Sequence, residues 1–589
     1  MKLADYVAHF FAGLGVRHAF VVSGGASLHL IHGLDNTPGI SHICCHHEQA
    51  AAMAADGYSR VTGNLGLAMA TSGPGATNLI TGIAGCFYDS VPAVFVTGQV
   101  STFRMSGNSG VRQTGFQETP IVDICRSITK YAVQVLNPAD IKKELQKAVH
   151  IAKTGRPGPV LVDIPDNVQR MNIDPDALVE FSPDVAADAA DRNTVQTIIA
   201  KLAESERPVI IAGWGLHLAG VEDQFRSLVE KLNVPVALTW GAADLLPASH
   251  ALRIGTFGTH GSRYANFAVQ NADFVLALGS RLDTKATGSP PNTFARSAWK
   301  AVVDIDRKEL DKFELYEVKI DCPVESDLRT FVPALAAKSV TTDFSPWLQR
   351  IDQWKSRYHF SKETYDPGQQ VDPYRFADVL ADILPARANI WVDTGSAIAW
   401  MMQAFRPGPG HRVWHDFNNT AMGWALPAAI ASALVEPQVP TYCVVGDGSL
   451  MMNLQELATV VRHNLDIRII CLDNAGYSMI QQTQDQWLDG RYIASSIDGG
   501  LSFPNWLAAA AAFNIPALEI THNAFLMDGL KRLADHTGPG FCRVAIDSAC
   551  RVTPQVKFGR PNEDPEPLLP RDQFRREMVV PPLPASEGL

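Results

Sequence analysis

Long apolar runs are missing from this chain. Its alanine-rich stretch 507–513 lies between Pro504 and Asn514 and is too short to cross a membrane. Basic excess is missing too. The 50 Lys and Arg stand against 61 Asp and Glu, a net charge of −11, so neither nucleic acid nor an anionic membrane surface is an expected partner. No signal peptide is expected, because Met1-Lys-Leu-Ala-Asp-Tyr6 opens an amphipathic pattern and not an apolar run. The nine cysteines lack the spacing of a disulfide framework, which suits a reducing cytoplasm. Cys44-Cys-His-His47 holds metal-binding residue types, but neighbours on a strand point to opposite faces and do not make a metal cluster.

What the chain has is length and alternation. At 589 residues it exceeds one hydrophobic core. A first block, 1–165, alternates short apolar runs (19–22, 66–70, 93–97, 160–164) with helical segments, the pattern of a doubly wound α/β sheet. A polar connector follows at 166–193. The block 194–338 repeats the alternation with runs at 208–212, 235–239, 274–278 and 301–305. A second connector, 339–370, leads to a third block, 371–548. The segment 549–589 is rich in Pro, Arg and acids, and reads as an extended C-terminal arm over the surface, with disorder as the alternative.

The third block carries the clearest chemistry. An apolar run, 441–445, enters Gly446-Asp447-Gly448-Ser449. A helical stretch, 450–463, and a second run, 467–472, then lead to Asp473-Asn474. This βαβ unit brings Asp447 and Asn474 to neighbouring strand ends. Glycines allow close approach to a phosphate, and a carboxylate with an amide oxygen suits Mg²⁺, so the unit reads as a magnesium-diphosphate grip. In the first block, Glu48 stands where a strand (41–45) meets a small-residue helix. There it would be partly desolvated and suited to sharing a proton, although acids in first helical turns are also common as plain helix-terminus charges. Gly73-Pro-Gly-Ala-Thr-Asn78 could close on a ligand, but alone it is only a glycine turn.

In combination these segments resemble the thiamine-diphosphate enzymes, specifically the acetohydroxyacid (acetolactate) synthase family. Further matching stretches are Gly24-Gly-Ala-Ser27, Gly115-Phe-Gln-Glu-Thr-Pro-Ile-Val122, Gly155-Arg-Pro-Gly-Pro159 and Met422-Gly-Trp-Ala-Leu-Pro427. The resemblance implies three doubly wound domains: pyrimidine-binding (1–165), central and FAD-type (194–338), and diphosphate-binding (371–548). It implies that Asp447, Asn474 and the carbonyl of Gly476 hold Mg²⁺, and that Gly446, Gly448, Ser449, Gly395, Ser396 and Ala397 contact the diphosphate. Gly24, Gly25, Pro74, Asn78 and Thr420 would contact the rest of thiamine diphosphate, and Met422 would wedge it into a bent shape. Glu48 would hydrogen-bond the pyrimidine ring, and Gln117, with Phe116, would line the substrate side. By the same resemblance Gly213, Gly215, Thr239, His260, Gly279, Arg281, Asp304 and Asp321 are candidate contacts for FAD, retained without net redox chemistry. A homodimer or homotetramer is implied, with active sites between subunits.

Two positions depart from that family. It carries Arg-Phe-Asp-Asp-Arg where this chain has Arg281-Leu-Asp-Thr-Lys285, so a bidentate clamp for an acceptor carboxylate becomes a point charge. The family's acceptor-selecting tryptophan is Thr483 here. The expected reaction is decarboxylation of a 2-oxo acid, pyruvate first, and transfer of the two-carbon unit to an acceptor carbonyl. The departures leave open a keto-sugar nucleotide or another ketone as acceptor. They also leave open simple decarboxylation or carbon–carbon hydrolysis on the same cofactor. An idle regulatory homologue is disfavoured by the presence of Glu48, Asp447 and Asn474.

Overall fold

The structure is a computed structural model and describes residues 1–183, 191–360 and 365–587. The apolar runs become three six-stranded parallel sheets. The first holds β1 (His18–Val21), β2 (Ser41–Cys44), β3 (Gly66–Ala70), β4 (Ala93–Gln99), β5 (Tyr131–Gln134) and β6 (Val160–Pro165), in the order β2-β1-β3-β4-β6-β5. The second holds β7 (Pro208–Ala212), β8 (Val236–Leu238), β9 (Arg253–Thr256), β10 (Phe274–Leu278), β11 (Trp299–Asp304) and β12 (Cys322–Glu325), in the order β12-β11-β10-β7-β8-β9. The third holds β13 (Arg387–Val392), β14 (Gly410–Trp414), β15 (Thr441–Gly446), β16 (Ile467–Asp473), β17 (Ala517–Ile520) and β18 (Gly540–Ala545), in the order β14-β13-β15-β16-β18-β17.

In each sheet the strand order reverses beside its first strand: between β1 and β3, between β7 and β10, and between β13 and β15. At such a reversal the following loops diverge and leave a crevice at the carboxyl ends of the strands, where ligands bind. The glycine-rich segments lie at these three points. Gly24 and the 71–78 turn follow β1 and β3, Gly213-Trp-Gly215 and Gly279 follow β7 and β10, and Gly395 and Gly448 follow β13 and β15. Crowding explains two of the glycines. A Cβ on Gly24 would come 2.4 Å from Thr71, and one on Gly213 would come 2.2 Å from the Gly279 carbonyl.

Several elements differ from the sequence reading. The expected helix 450–463 breaks at Asn453, whose side-chain amide turns away to donate to the Gly423 carbonyl at 2.8 Å. The connector 339–370 contains a helix, Ser345–Tyr358, which buries Trp347, Ile351 and Trp354 against the central sheet. The connector 166–193 begins with a short helix, Asp166–Gln169, and its 184–190 portion lies outside the described residues. The arm is more deeply seated than a surface cover. It includes a helix, Arg571–Glu577, and Phe574, Met578 and Val580 join the central core. The buried Glu577 accepts hydrogen bonds from Trp354 Nε1 at 2.7 Å and the Tyr358 hydroxyl at 2.9 Å.

Two buried polar joints tie the sheets together. Arg60, from the first, pairs with Asp56 and Asp89, each at 2.7 Å. Its guanidinium lies 5.3 Å from the Trp214 ring of the second and 5.0 Å from the Trp424 ring of the third. The other joint centres on His217, buried between Glu222 and Asp244 with 2.9 Å contacts at Nδ1 and Nε2. Both partners are carboxylates, which favour the imidazolium against burial and against Arg412, whose Nη2 lies 3.2 Å from Nδ1. Across it, Arg412 on β14 lies 3.3 Å from Asp244, and the Val413 amide donates to the same carboxylate.

Candidate active site

The crevice of the third sheet is built on β15 and β16. Their parallel register sets Gly446 opposite Leu472, so Asp447 and Asn474 emerge side by side. Asp447 is 2% exposed, and its carboxylate accepts the amides of Gly448 at 2.6 Å and Gly476 at 3.1 Å and shares a hydrogen bond with Asp473. Burial and the adjacent Asp473 push it up to about 8. Asp473 has a cation of its own, Arg543 at 2.6 Å. A buried carboxylate with no cationic side chain against it, beside the buried Asn474, fits a divalent cation. Among the described residues no three His, Cys, Asp or Glu side chains form a metal cluster, so any cation here would draw on amide and carbonyl oxygens.

The surrounding loops fit a phosphate-bearing ligand. Gly395, at φ +83°, starts the Ser396–Ala404 helix, and the buried Ser396 hydroxyl has no hydrogen-bond partner. Asp393 accepts from the amides of Gly423 at 3.1 Å and Ala425 at 2.9 Å, which ties the 395 loop to the turn of Met422. A Cβ on Gly448 would approach the Met422 methyl at 3.4 Å, so Met422 overhangs the grip. Thr420, at φ +52°, lies farther along the same loop and lines the central cavity.

In the first sheet, Glu48 begins the helix Glu48–Thr62 and is nearly buried. Its Oε2 accepts from Asn78 Nδ2 at 2.9 Å. Gly75 faces it closely enough that a Cβ there would lie 3.3 Å from Oε1. On the other side of the same turn, a Cβ on Gly73 would lie 2.9 Å from the Cβ of Gln117. The Gly73-Pro74-Gly75 turn therefore separates Glu48 from Gln117. Phe116, beside it, is 86% exposed. Gly24 and Gly25 lie behind, where the Ala26 amide donates to Thr71 Oγ1. Within one chain no hydrogen bond or ion pair joins Glu48 to Asp447, although Glu456 of the third block accepts from the His46 amide at 2.9 Å.

The central crevice opens into a cavity of about 440 Å³, lined by Gly215, Thr239, His260, Gly279, Arg281 and Asp304 among others. Gly213 supports its floor without lining it. Asp321 does not reach it, because it holds the Lys300 amide at 2.9 Å and pairs with Lys319 at the sheet edge. Asp327, six residues on, takes the place expected of Asp321 in the lining. Arg156 of the Gly155-Arg-Pro-Gly stretch also lines the cavity. Its motif was visible in the sequence, but its reach across to Glu309 at 2.5 Å was not. Burial opposes ionisation of Glu309, yet Lys312, Arg281 and Arg156 hold it down to about 2. Burial and nearby Lys285 push His260 down to about 3, so its ring is neutral. Its buried Nδ1 has no partner. Walls that mix five basic side chains with four aspartates, and an unpartnered ring nitrogen, fit a large polar ligand with both hydroxyl and phosphate groups, such as FAD.

Lys285 lines this cavity and Thr483 does not, but the arm links the segments that carry them. Lys285 has its ammonium 5.9 Å from the Trp240 ring, and its carbonyl accepts from the Thr259 amide at 2.8 Å. The Thr259 carbonyl accepts from Val556, and the neighbouring Gln555 contacts His260 at 3.0 Å and Gln486 at 3.1 Å. Gln486 and the exposed Thr483 share the helix Ser478–Trp487. Trp487 and Phe558 are 63% and 73% exposed and meet edge to face at 5.8 Å. Sequence reading missed this pair, because nothing local joins residues so far apart along the chain.

This arrangement of three crevices defines a class. The family description "Thiamine pyrophosphate enzyme, N-terminal TPP binding domain" matches residues 1–124, that of the central domain 195–335, and that of the C-terminal TPP binding domain 393–544. Full-length relatives narrow it. The chain is 34% identical over 550 residues to the acetolactate synthase large subunit of Lactococcus lactis subsp. lactis (strain IL1403), covering 93% of this chain and 92% of that one. It is 33% identical over 569 residues to acetolactate synthase 1, chloroplastic, of Oryza sativa subsp. japonica, covering 95% and 86%. To acetolactate synthase, chloroplastic, of Arabidopsis thaliana it is 32% identical over 569 residues, covering 95% and 83%. The chain belongs to the thiamine pyrophosphate enzymes of the acetolactate synthase family, and is a carboligase or decarboxylase of that class. Among the described residues no helix is long and apolar enough to cross a membrane.

Proposed function

We propose that this protein decarboxylates a 2-oxo acid, pyruvate first, and transfers the two-carbon unit to an acceptor carbonyl, using thiamine diphosphate and Mg²⁺. The observation that carries this reading is the buried, cation-free Asp447 carboxylate among glycines at a strand-order reversal. Asp447, Asn474 and the Gly476 carbonyl hold the metal. Gly446, Gly448, Ser449 and the Gly395-Ser-Ala397 turn receive the diphosphate, with Gly24, Gly25, Pro74, Asn78 and Thr420 along the rest of the cofactor. Bound thiamine diphosphate supplies the electron sink that a 2-oxo acid needs to lose CO₂. Met422, which overhangs the grip, would pack against the cofactor. Glu48, oriented by Asn78, holds a proton against the pyrimidine nitrogen. Gln117, beside Phe116, orients the donor. Because Glu48 and Asp447 make no contact within one chain, a homodimer completes the site, and a tetramer is compatible with it. FAD is the proposed occupant of the central cavity, without net redox change. The nine cysteines, all free among the described residues, suit a cytoplasmic location.

The acceptor is where this chain departs from its relatives. Lys285 offers a point charge to a carboxylate, and acetolactate is the product when pyruvate is also the acceptor. A larger ketone is favoured by one feature: the open position at Thr483, one helical turn from the exposed Trp487–Phe558 pair, leaves apolar surface beside the site. An acceptor screen with pyruvate as donor, read by mass spectrometry, separates these outcomes. Release of CO₂ that depends on both cofactors, with a ligated product, is expected. No cofactor-dependent CO₂ release from any 2-oxo acid would overturn the assignment.

A further inference from the structure

Gln117 is held in a conformation that residues with a Cβ rarely adopt, at φ +65°. Such strain persists only where the surroundings impose it, and here Glu118 fixes the loop on one side. The Glu118 carboxylate accepts four hydrogen bonds from the preceding loop. Oε1 takes the Ser106 amide at 2.6 Å and its hydroxyl at 2.7 Å. Oε2 takes the amides of Thr114 at 2.8 Å and Gly115 at 3.2 Å. These bonds hold Glu118 down to about 2 although burial opposes ionisation, so it stays a carboxylate throughout the working range.

The far side of Gln117 is clamped as well. Gln99 donates to the Thr119 carbonyl at 2.7 Å, and the same Nε2 reaches the fully buried Asp163 at 3.2 Å. Asp163 also takes Thr97 at 2.6 Å and Gln134 at 2.8 Å, so Gln99 is anchored to the sheet. Residue 117 thus hangs between two fixed points, one on each side. Its Cβ rests where Gly73 leaves no side chain, and Gly75 of that same turn faces Glu48.

We propose that Glu118 is a positioning residue, whose carboxylate gathers the 106–115 loop and thereby sets the Gln117 side chain against the Gly73-Pro74-Gly75 turn, across from Glu48. The proposal rests on the reading of Gln117 as the residue that orients the 2-oxo acid donor. A neutral amide at 118 could not replace the carboxylate. It keeps one acceptor oxygen and turns N–H groups toward backbone N–H groups. Only an anion with two open oxygens satisfies all four donors.

The test is a double-mutant cycle on the full-length protein with thiamine diphosphate, Mg²⁺ and pyruvate. Glu118→Gln is expected to lower kcat/KM about tenfold, chiefly through KM, and to cause no further loss in a Gln117→Ala background. Equal losses in both backgrounds, or wild-type kinetics for Glu118→Gln, would overturn the proposal, because a general destabilisation acts whatever residue 117 is. Amide hydrogen exchange at Thr114 and Gly115 provides a readout that needs no activity. Faster exchange in Glu118→Gln is expected, and unchanged exchange would count against the hub. If the wild-type protein releases no CO₂, the functional reading fails while exchange still judges the loop. Should Glu118→Gln not fold, Ser106→Ala removes a single donor and enters the same cycle, with a smaller loss of the same non-additive kind expected.

Discussion

Glu48 begins a helix, is almost fully buried, and is oriented by an amide instead of a cation. A carboxyl so placed can hold or release a proton toward a ligand without a competing salt bridge. Glu48→Gln keeps the shape and the Asn78 contact but removes the ionisable group. Pyruvate decarboxylation is expected to fall by about 10²-fold or more, with the melting temperature little changed. Full activity in that variant would sink the role. Residues of this kind were legible because each sits in a short motif: Asp447 between two glycines, Glu48 at a strand–helix junction. Asp327 and Arg156 were harder to see. Their reach into the central cavity depends on how separate segments meet, and the sequence pointed instead to Asp321, which the sheet edge keeps busy.

Among the elements, the interior strands of the first two sheets read well from apolar runs, and 66–70, 208–212 and 274–278 coincide with the observed strands, but the interior β13 and β18 of the third sheet were not read. Of the edge strands only β2 was read, as 41–45, and β5, β9, β12, β14 and β17 were missed. They are short, and several are only partly buried, so they carry no continuous apolar signal. The break at Asn453 was invisible because it answers a distant carbonyl, Gly423. The His217 joint is braced by one such edge strand, β14, and gives a pH dependence. Burial opposes the charge on His217, but Asp244 and Glu222 raise its pKa above the usual 6.5. A raised histidine contributes stability that is fully present below its unfolded value and is lost as pH rises through the folded value. The melting-temperature advantage of wild type over His217→Gln should therefore be largest near the low end of the stable range and shrink toward alkaline pH. A gap that is constant or grows with pH would refute the imidazolium.

At the scale of the molecule, three sheets share buried joints, and the arm completes the middle one. Phe574 is fully buried beside Phe267, with ring centroids 6.4 Å apart. Phe574→Ala should cost about 3–5 kcal/mol, seen as a lower denaturant midpoint with near-unchanged slope. A loss under 1 kcal/mol would mean that the arm only rests on the surface. The domain pattern was readable from alternation along the chain. The seating of the arm was not, because its Pro-rich composition resembles a solvated tail and its apolar residues are few and spaced. That seating has a consequence for biosynthesis. Trp354 and Phe267 leave the ribosome well before Phe574, so the nascent central domain carries an unfilled apolar trough while the whole diphosphate-binding block is still being made. Chaperone engagement during that interval, and irreversible clumping of chains whose translation stalls before the arm emerges, are what such an order of assembly invites.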